Sequence, residues 1–397
     1  FIGTNAISDE ITSLEGLGSI ISIDKSLNIS QNAGLNNLDG LNNLLFVGGD
    51  LTIFANDNLK DLSGLEKLNS TQNLSIRHNG IDSLNLIKLT NVDGTLEISH
   101  NYNLLNLSGL EQLSQITDKL IISDNAALIN LNGLNNLLTI GSDFRIWNNP
   151  SLTNLQGPIR LKSISGKLSI YENENLNTLS GFDSLINIDG ELDISYNASL
   201  LNAGNFPFLN YIGSNIFIAE NPLLVNMNGF EALDSSGGNL EFWSNLSLKQ
   251  MNAFSNLESI NGYIFLFGNT QLEDISGFEN IDPNSIQSFD DNHDDLTIRR
   301  NDLLSDCAIK SFCDFLDIPG KTSWIAQNAS GCKNSTEIQS ACTLRVDEIS
   351  DDLQINIYPN PVIHKISISV PVARYFHKIE IFNDMGVRVR MEKLDLH

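Results

Sequence analysis

One short pattern of apolar and polar positions recurs through most of this 397-residue chain. In Leu51-Thr52-Ile53-Phe54-Ala55-Asn56 the first and third places are apolar, the second, fourth and fifth vary, and the sixth is Asn. The phrase occurs twelve times, starting at Leu27, Leu51, Leu74, Leu96, Leu120, Phe144, Leu168, Leu192, Ile216, Leu240, Ile264 and Leu296. The intervals are 24, 23 and 22, then 24 seven times, then 32. The closing Asn never fails: Asn32, Asn56, Asn79, Asn101, Asn125, Asn149, Asn173, Asn197, Asn221, Asn245, Asn269 and Asn301. A fixed period of this length is the mark of a solenoid, in which each repeat packs only on its neighbours.

Within one repeat, Leu120 and Ile122 alternate with variable places, which predicts a short strand with one buried face. Asn125 then turns inward, where its amide satisfies backbone groups and bonds to stacked copies. Leu128, Leu131, Leu134 and Leu137 follow at a spacing of three, which predicts tight turns or 3₁₀ pieces rather than α-helix. A Gly column (Gly40, Gly64, Gly109, Gly133, Gly157, Gly181, Gly229, Gly277) predicts a bend with positive φ. A second column, including Gly49, Gly94 and Gly141, precedes the next strand. Twelve stacked turns give one parallel sheet on a rod of about 55–60 Å.

The ends depart from the period. Residues 1–26 read as a capping repeat, with Ile11, Leu14, Gly16 and Leu17 matching Leu35, Leu38, Gly40 and Leu41, and with Gly3 and Asn5 where Leu and Ile belong. The array covers 27–304. Its last interval carries a polar insertion near Asp282–Asp295, expected as a loop leaving the rod, whose carboxylates are a candidate calcium site. Residues 305–345 read as a cap: Ile309, Phe312, Cys313 and Leu316 form one helical face, Asp306 caps it, and Pro319-Gly320 ends it. Cys307 and Cys313, six apart on that helix, point to different sides. That leaves Cys307 with Cys332 and Cys313 with Cys342, or the same four with partners exchanged. An acidic linker, 346–353, leads to a β segment at 354–397.

The pattern L-x-I-x-x-N-x-x-L-x-x-L-x-G-L-x-x-L-x-x-I-x-G resembles the leucine-rich repeat of receptor L-domains and of similar bacterial surface proteins. The resemblance implies a mainly β, right-handed solenoid of about twelve turns that binds other molecules and performs no chemistry. The disulfide-linked segment resembles the cysteine-rich caps of extracellular leucine-rich-repeat proteins. Tyr358-Pro359-Asn360-Pro361, with the later strand and turn Lys378–Gly386, resembles the C-terminal sorting domain of the type IX secretion pathway of Bacteroidetes. That family pattern carries further strands, so an incomplete sorting domain is expected. The implied partners are the secretion machinery and an extracellular protein or glycan.

Composition narrows the partners. Asp plus Glu is 48 against 23 for Lys plus Arg, a net charge of −25. Nucleic acids and anionic membrane surfaces both call for basic patches, so neither is expected. No apolar run is long enough to span a bilayer. Four cysteines confined to one segment point to two disulfides and an oxidising compartment. The chain begins at Phe1 with no basic-then-apolar leader, as expected of a processed or partial sequence. Secretion or display on the cell surface follows as the expected location.

Function is sought in the outward places of the hexad. Phe54, Trp147, Tyr171, Tyr196, Phe217, Trp243, Phe265 and Phe267 are candidate ligand contacts. Aromatic side chains on a solvent face serve binding, or they support the sheet as cross-strand pairs. His78, His100 and Asp124 share one column on consecutive turns and are a candidate transition-metal site, although a straight row suits a tetrahedron poorly. No resident cofactor is otherwise expected. Sequence motifs for hydrolase, protease or phosphate-binding chemistry are missing, so no enzyme is expected. The readings rank as a binding or adhesion module, then a structural rod that self-assembles into a layer or filament, then a polysaccharide-active β-helix.

Overall fold

Alternation within the hexad builds the fold directly. The computed structural model describes residues 2, 11–289 and 292–344, and the strands Asn356–Tyr358, Ser367–Ser369, Lys378–Phe382 and Arg388–Lys393. Two compact units emerge, Phe1–Cys342 and Thr343–His397. The first is a parallel β-solenoid of about 13 turns, with one four-residue strand per turn in a 13-stranded sheet from Leu27–Ser30 to Ser323–Ala326. Leu120 pairs between Leu96 and Phe144, and Ile122 between Ile98 and Ile146, so like positions stack on like. The first and third places of nearly every strand are fully buried and form one continuous core.

The fifth place of each hexad is left-handed. Ala55, His78, His100, Asp124, Asn148, Glu172, Tyr196, Glu220, Ser244 and Arg300 have φ between +50° and +57°. This conformation costs a non-glycine residue roughly 1–2 kcal/mol. The Asn that follows offsets it. Asn173 Oδ1 accepts from the Asn149 backbone N–H at 3.1 Å and from Asn149 Nδ2 at 3.2 Å, while Asn173 Nδ2 donates to the Ile146 carbonyl at 3.0 Å. The same ladder runs from Asn32 to Asn301 and ends on Asn328, a thirteenth rung.

Two features of the turns differ from expectation. A second, ten-stranded parallel sheet of two-residue strands, from Ser22–Ile23 to Ser235–Ser236, lines another side of the solenoid. Its Ile, Val and Thr side chains point into the core, and Gly141 lies so close to the preceding turn that a Cβ would sit 2.1 Å from the Thr117 carbonyl oxygen. Gly133 shows the expected positive φ of +117°, but Gly64 and Gly277 lie in 3₁₀ turns, Ser63–Leu65 and Ser276–Phe278, and do not need it.

The ends are corrected more substantially. Ile2 pairs in parallel with Ile29 and so meets the sheet, while Gly3 and Asn5 lie outside the described residues. The insertion does not simply leave the rod: Ile286 is fully buried and bridges to Gly262. Asp295 is buried and accepts from Thr322 N–H at 2.8 Å and Ser288 N–H at 2.5 Å, so its carboxylate is committed to the fold. Asp290 and Asp291 of the calcium reading lie outside the described residues. Helix α1 is Lys310–Leu316, starting later than expected. The residue at its N-cap is Ile309, and Asp306 accepts from Ala308 N–H at 3.1 Å. Cys307 therefore precedes the helix. The disulfides are Cys307–Cys332 and Cys313–Cys342, the second tying α1 to helix α2, Ser335–Leu344.

In the second unit, Asn356–Tyr358 pairs antiparallel with Ser367–Ser369, and Lys378–Phe382 with Arg388–Lys393. The linker 346–353 and Pro359-Asn360-Pro361 lie outside the described residues. Among the described residues no helix is long and apolar enough to cross a membrane.

Candidate functional site: the outer face of the long sheet

Inward places are set by packing, whereas outward places are not. The second and fourth places of each strand face out, and adjacent strands lie roughly 4.8 Å apart. Over four consecutive turns the second places read Ser75, Glu97, Ile121, Arg145, and the next four read Ser169, Asp193, Phe217, Glu241. The fourth places read Arg77, Ser99, Ser123, Trp147, then Tyr171, Ser195, Ala219, Trp243. Large, small, small, large therefore occurs twice. Each pair of small residues leaves a recess between larger walls.

The carboxylate in each recess is held in the same way. Ser75 and Ser99 hydroxyls donate to the two oxygens of Glu97, each at 3.1 Å. Ser169 and Ser195 hydroxyls donate to the two oxygens of Asp193 at 2.8 and 2.7 Å. Arg77 Nε lies 3.5 Å from Glu97, and Lys167 Nζ lies 3.0 Å from Asp193 and 2.8 Å from Glu191. Burial alone would depress the Lys167 ammonium, but its hydrogen bonds and ion pairs with Glu191 and Asp193 outweigh that and raise its pKa. Asp143 shows the same balance with the opposite direction of shift: burial opposes ionisation, yet the Lys167 N–H and the Arg145 guanidinium hold its carboxyl below the usual range. The Tyr171 hydroxyl is pushed up by burial and by Glu172. The result is an open groove of about 380 Å³ lined by Arg145, Lys167, Tyr171, Asp193, Ser195 and Tyr196. Lys167 pairs with Asp193 and Arg145 with Asp143, and Glu172 also lines the groove, so it offers hydrogen bonds, charge and a ring.

The predicted aromatic residues come together in separate clusters, not as one strip. Trp147 and Tyr171 stack at 5.7 Å and 3°. Phe217 meets Trp243 edge-on at 5.7 Å, and Phe265 stacks on Phe267 at 5.7 Å. Phe54 lies under the Arg77 guanidinium at 5.4 Å and beside His78. These rings are half-buried, Trp147 and Tyr171 as a cross-strand pair of the kind that supports a sheet and Phe265 and Phe267 along one strand. Tyr196 differs: it is 50% exposed at the rim of the groove.

The metal reading does not survive the geometry. His78 and His100 lie face to face, with centroids 4.2 Å apart and planes 22° apart. Their in-plane lone pairs run side by side and do not converge. His100 Nε2 is instead 3.8 Å from an Asp124 oxygen. Among the described residues no group of three His, Cys, Asp or Glu is placed to hold an ion.

Burial, then the neighbouring His100 and Arg77, depress the His78 pKa below its usual value. The unfolded chain thus takes up a proton at His78 first as pH falls. Stability is unaffected well above pH 6.5 and declines as pH drops from about 6.5 toward the lower folded value. Comparing melting temperatures at pH 7.5 and 5.5, His78→Gln should lose less than the parent. Equal losses would mean that the imidazole stack carries no such linkage.

Sequence periodicity alone overlooks two features. Ser323-Trp324-Ile325-Ala326-Gln327-Asn328 is a thirteenth hexad, masked by Ser323 in the first apolar place; Ile325 and Asn328 are its signal. Its Trp324 faces outward and is 51% exposed. The paired recesses are the second, although Ser75-Glu97 and Ser169-Asp193 become visible when outward places four turns apart are compared. Comparison of the chain with known families, curated proteins and solved structures finds no match.

Proposed function

We propose that this chain is a secreted or surface-displayed binding module, a solenoid of the leucine-rich-repeat, receptor L-domain type that grips an extracellular protein or glycan with its outer sheet face. The observation supporting this is the doubled outward pattern, Ser75, Glu97, Ile121, Arg145 and again Ser169, Asp193, Phe217, Glu241. A stack needs uniform inward residues; it has no need of an outward Ser-then-acid pair that recurs four turns on. Two like recesses roughly 19 Å apart suit a ligand with extended or repeated features. The two disulfides suit an oxidising compartment. Export through the C-terminal unit, as a sorting domain, belongs to the same proposal, and binding occurs without turnover.

The test is retention of the full chain on immobilised polysaccharides and cell-surface proteins, beside Trp147→Ala/Trp243→Ala. One ligand should hold the parent and release the double variant roughly tenfold faster or more. If every surface treats the two alike, the binding reading fails. A parent that elutes as concentration-dependent assemblies would put self-association in its place.

A further inference from the structure

At the C-terminal end of the face, two cations form no ion pair among the described residues. Arg77 and Arg145 each meet a carboxylate, Glu97 at 3.5 Å and Asp143 at 2.6 Å. Arg299 and Arg300 do not: among the described residues neither forms a salt bridge. Both turn to one neutral acceptor, Gln327 Oε1, Arg300 Nε at 3.1 Å and Arg299 Nη2 at 3.4 Å. Arg299 Nε is buried without a hydrogen-bond partner, as are Arg77 Nε and Arg145 Nε, so the difference lies in the missing carboxylate. Rings hold the pair in place. The Arg299 guanidinium lies 3.4 Å over Trp324, and Arg300 lies 5.3 Å from the centre of Phe267.

In a chain of net charge −25, two adjacent unpaired guanidiniums are out of character. Cation–π contact fixes their planes and leaves N–H donors unspent. Guanidinium forks match carboxylate and sulfate geometry two bonds at a time. We infer that Arg299, Arg300, Gln327 and Trp324 form a subsite for an acidic saccharide, with the arginines on its carboxylate or sulfate and the exposed Trp324 ring against the sugar. Charge complementarity selects the anion. Ring faces select the saccharide: the exposed Trp324 and the stacked Phe265 and Phe267 lie beside the arginines and offer the flat apolar surfaces on which sugar rings stack. Long polyanions are opposed by the overall charge, whereas a short acidic unit feels mainly the local pair within a screening length of about 8 Å. This inference names the ligand class for the face proposed above and rests on that reading.

Calorimetry of the full chain at physiological salt tests it, with trigalacturonate, sulfated maltotriose, neutral maltotriose and triglutamate as probes. Trigalacturonate, sulfated maltotriose or both should bind, and the one preferred tells carboxylate from sulfate. Neutral maltotriose should bind far more weakly. R299Q/R300Q should weaken binding roughly thirtyfold or more, and the charge-matched surface control K60Q/K88Q should leave it unchanged. If R299Q/R300Q melts lower than the parent, R299K/R300K decides, since it keeps the charge but not the fork: it should still lose most of the affinity. No binding by either acidic probe, equal binding by the variants, or triglutamate binding as tightly as the saccharides would each overturn the inference. In that event, retention elsewhere that still depends on Trp147 and Trp243 would leave the broader reading standing.

Discussion

Asn173→Ala is expected to lower the unfolding free energy by about 3–5 kcal/mol, among the largest effects of any polar substitution in the chain. The side chain is fully buried and occupied at both ends. Its removal strands the Asn149 N–H, which loses its acceptor, and takes a donor at 3.0 Å from the Ile146 and Tyr171 carbonyls, while Asn149 Nδ2 keeps the Ile122 and Trp147 carbonyls and Tyr171 O keeps the Asn148 N–H. Each orphaned buried group costs roughly 1–3 kcal/mol, reduced where water enters the gap. The left-handed residue before it, Glu172, also loses the bonds that offset its strain. Because each turn contacts only its neighbours, a broken rung in mid-array should split the unfolding into less cooperative steps. Urea titration followed by circular dichroism measures both effects. The comparison is Asn175→Ala, whose exposed amide reaches only the Pro150 carbonyl and which should stay within about 0.5 kcal/mol of the parent. If Asn173→Ala behaves like Asn175→Ala, the ladder is not what holds the turns in register.

The ladder also marks how much of the fold is legible in the sequence. Asn at every sixth place, behind two apolar residues, requires an inward amide, and the fold supplies its partners. The parallel sheet and the tight turns are likewise implied by local spacing, whereas the disulfide partners stay open in the sequence and are fixed by the fold, where Cys307 precedes the helix. The misses at the ends have one cause: the period describes typical turns and is silent where a turn is edited. Ser323 hides a complete thirteenth strand. Ile2 closes the other end at an offset the period does not give. Columns of single residue types reveal the aromatic residues of the face but not Glu97, Asp193 and Lys167. Those side chains gain meaning only through neighbours on adjacent turns, as when Ser169 and Ser195 bracket Asp193. The histidine row fails for the opposite reason. Column position brings His78 and His100 together, but stacking decides which way their nitrogens point.

Phe230→Ala is expected to cost about 4–5 kcal/mol, the upper part of the range for a buried Phe. Phe182, Phe206, Phe230, Phe254 and Phe278 form a column of fully buried rings with centroids 5.5, 5.2, 5.3 and 5.6 Å apart. Phe230 has a ring on both sides, so its loss opens a cavity that neither neighbour can fill without leaving its own contact. Earlier turns put Leu at the same place, as Leu134 follows Leu120 in the way that Phe230 follows Ile216. That makes Phe230→Leu the informative second variant. A Leu stack is evidently compatible with the turn geometry, so no backbone strain is expected. The remaining loss should be the missing volume and the ring–ring term, about 1–2 kcal/mol together. Replacing Phe206 and Phe230 together by Leu then separates the two contributions. If ring–ring contact matters, the second Leu costs less than the first, because the contact it would break is already gone. If the costs simply add, volume alone sets the stability of this half of the solenoid, and the change from Leu to Phe along the column is a change of filling rather than of mechanism.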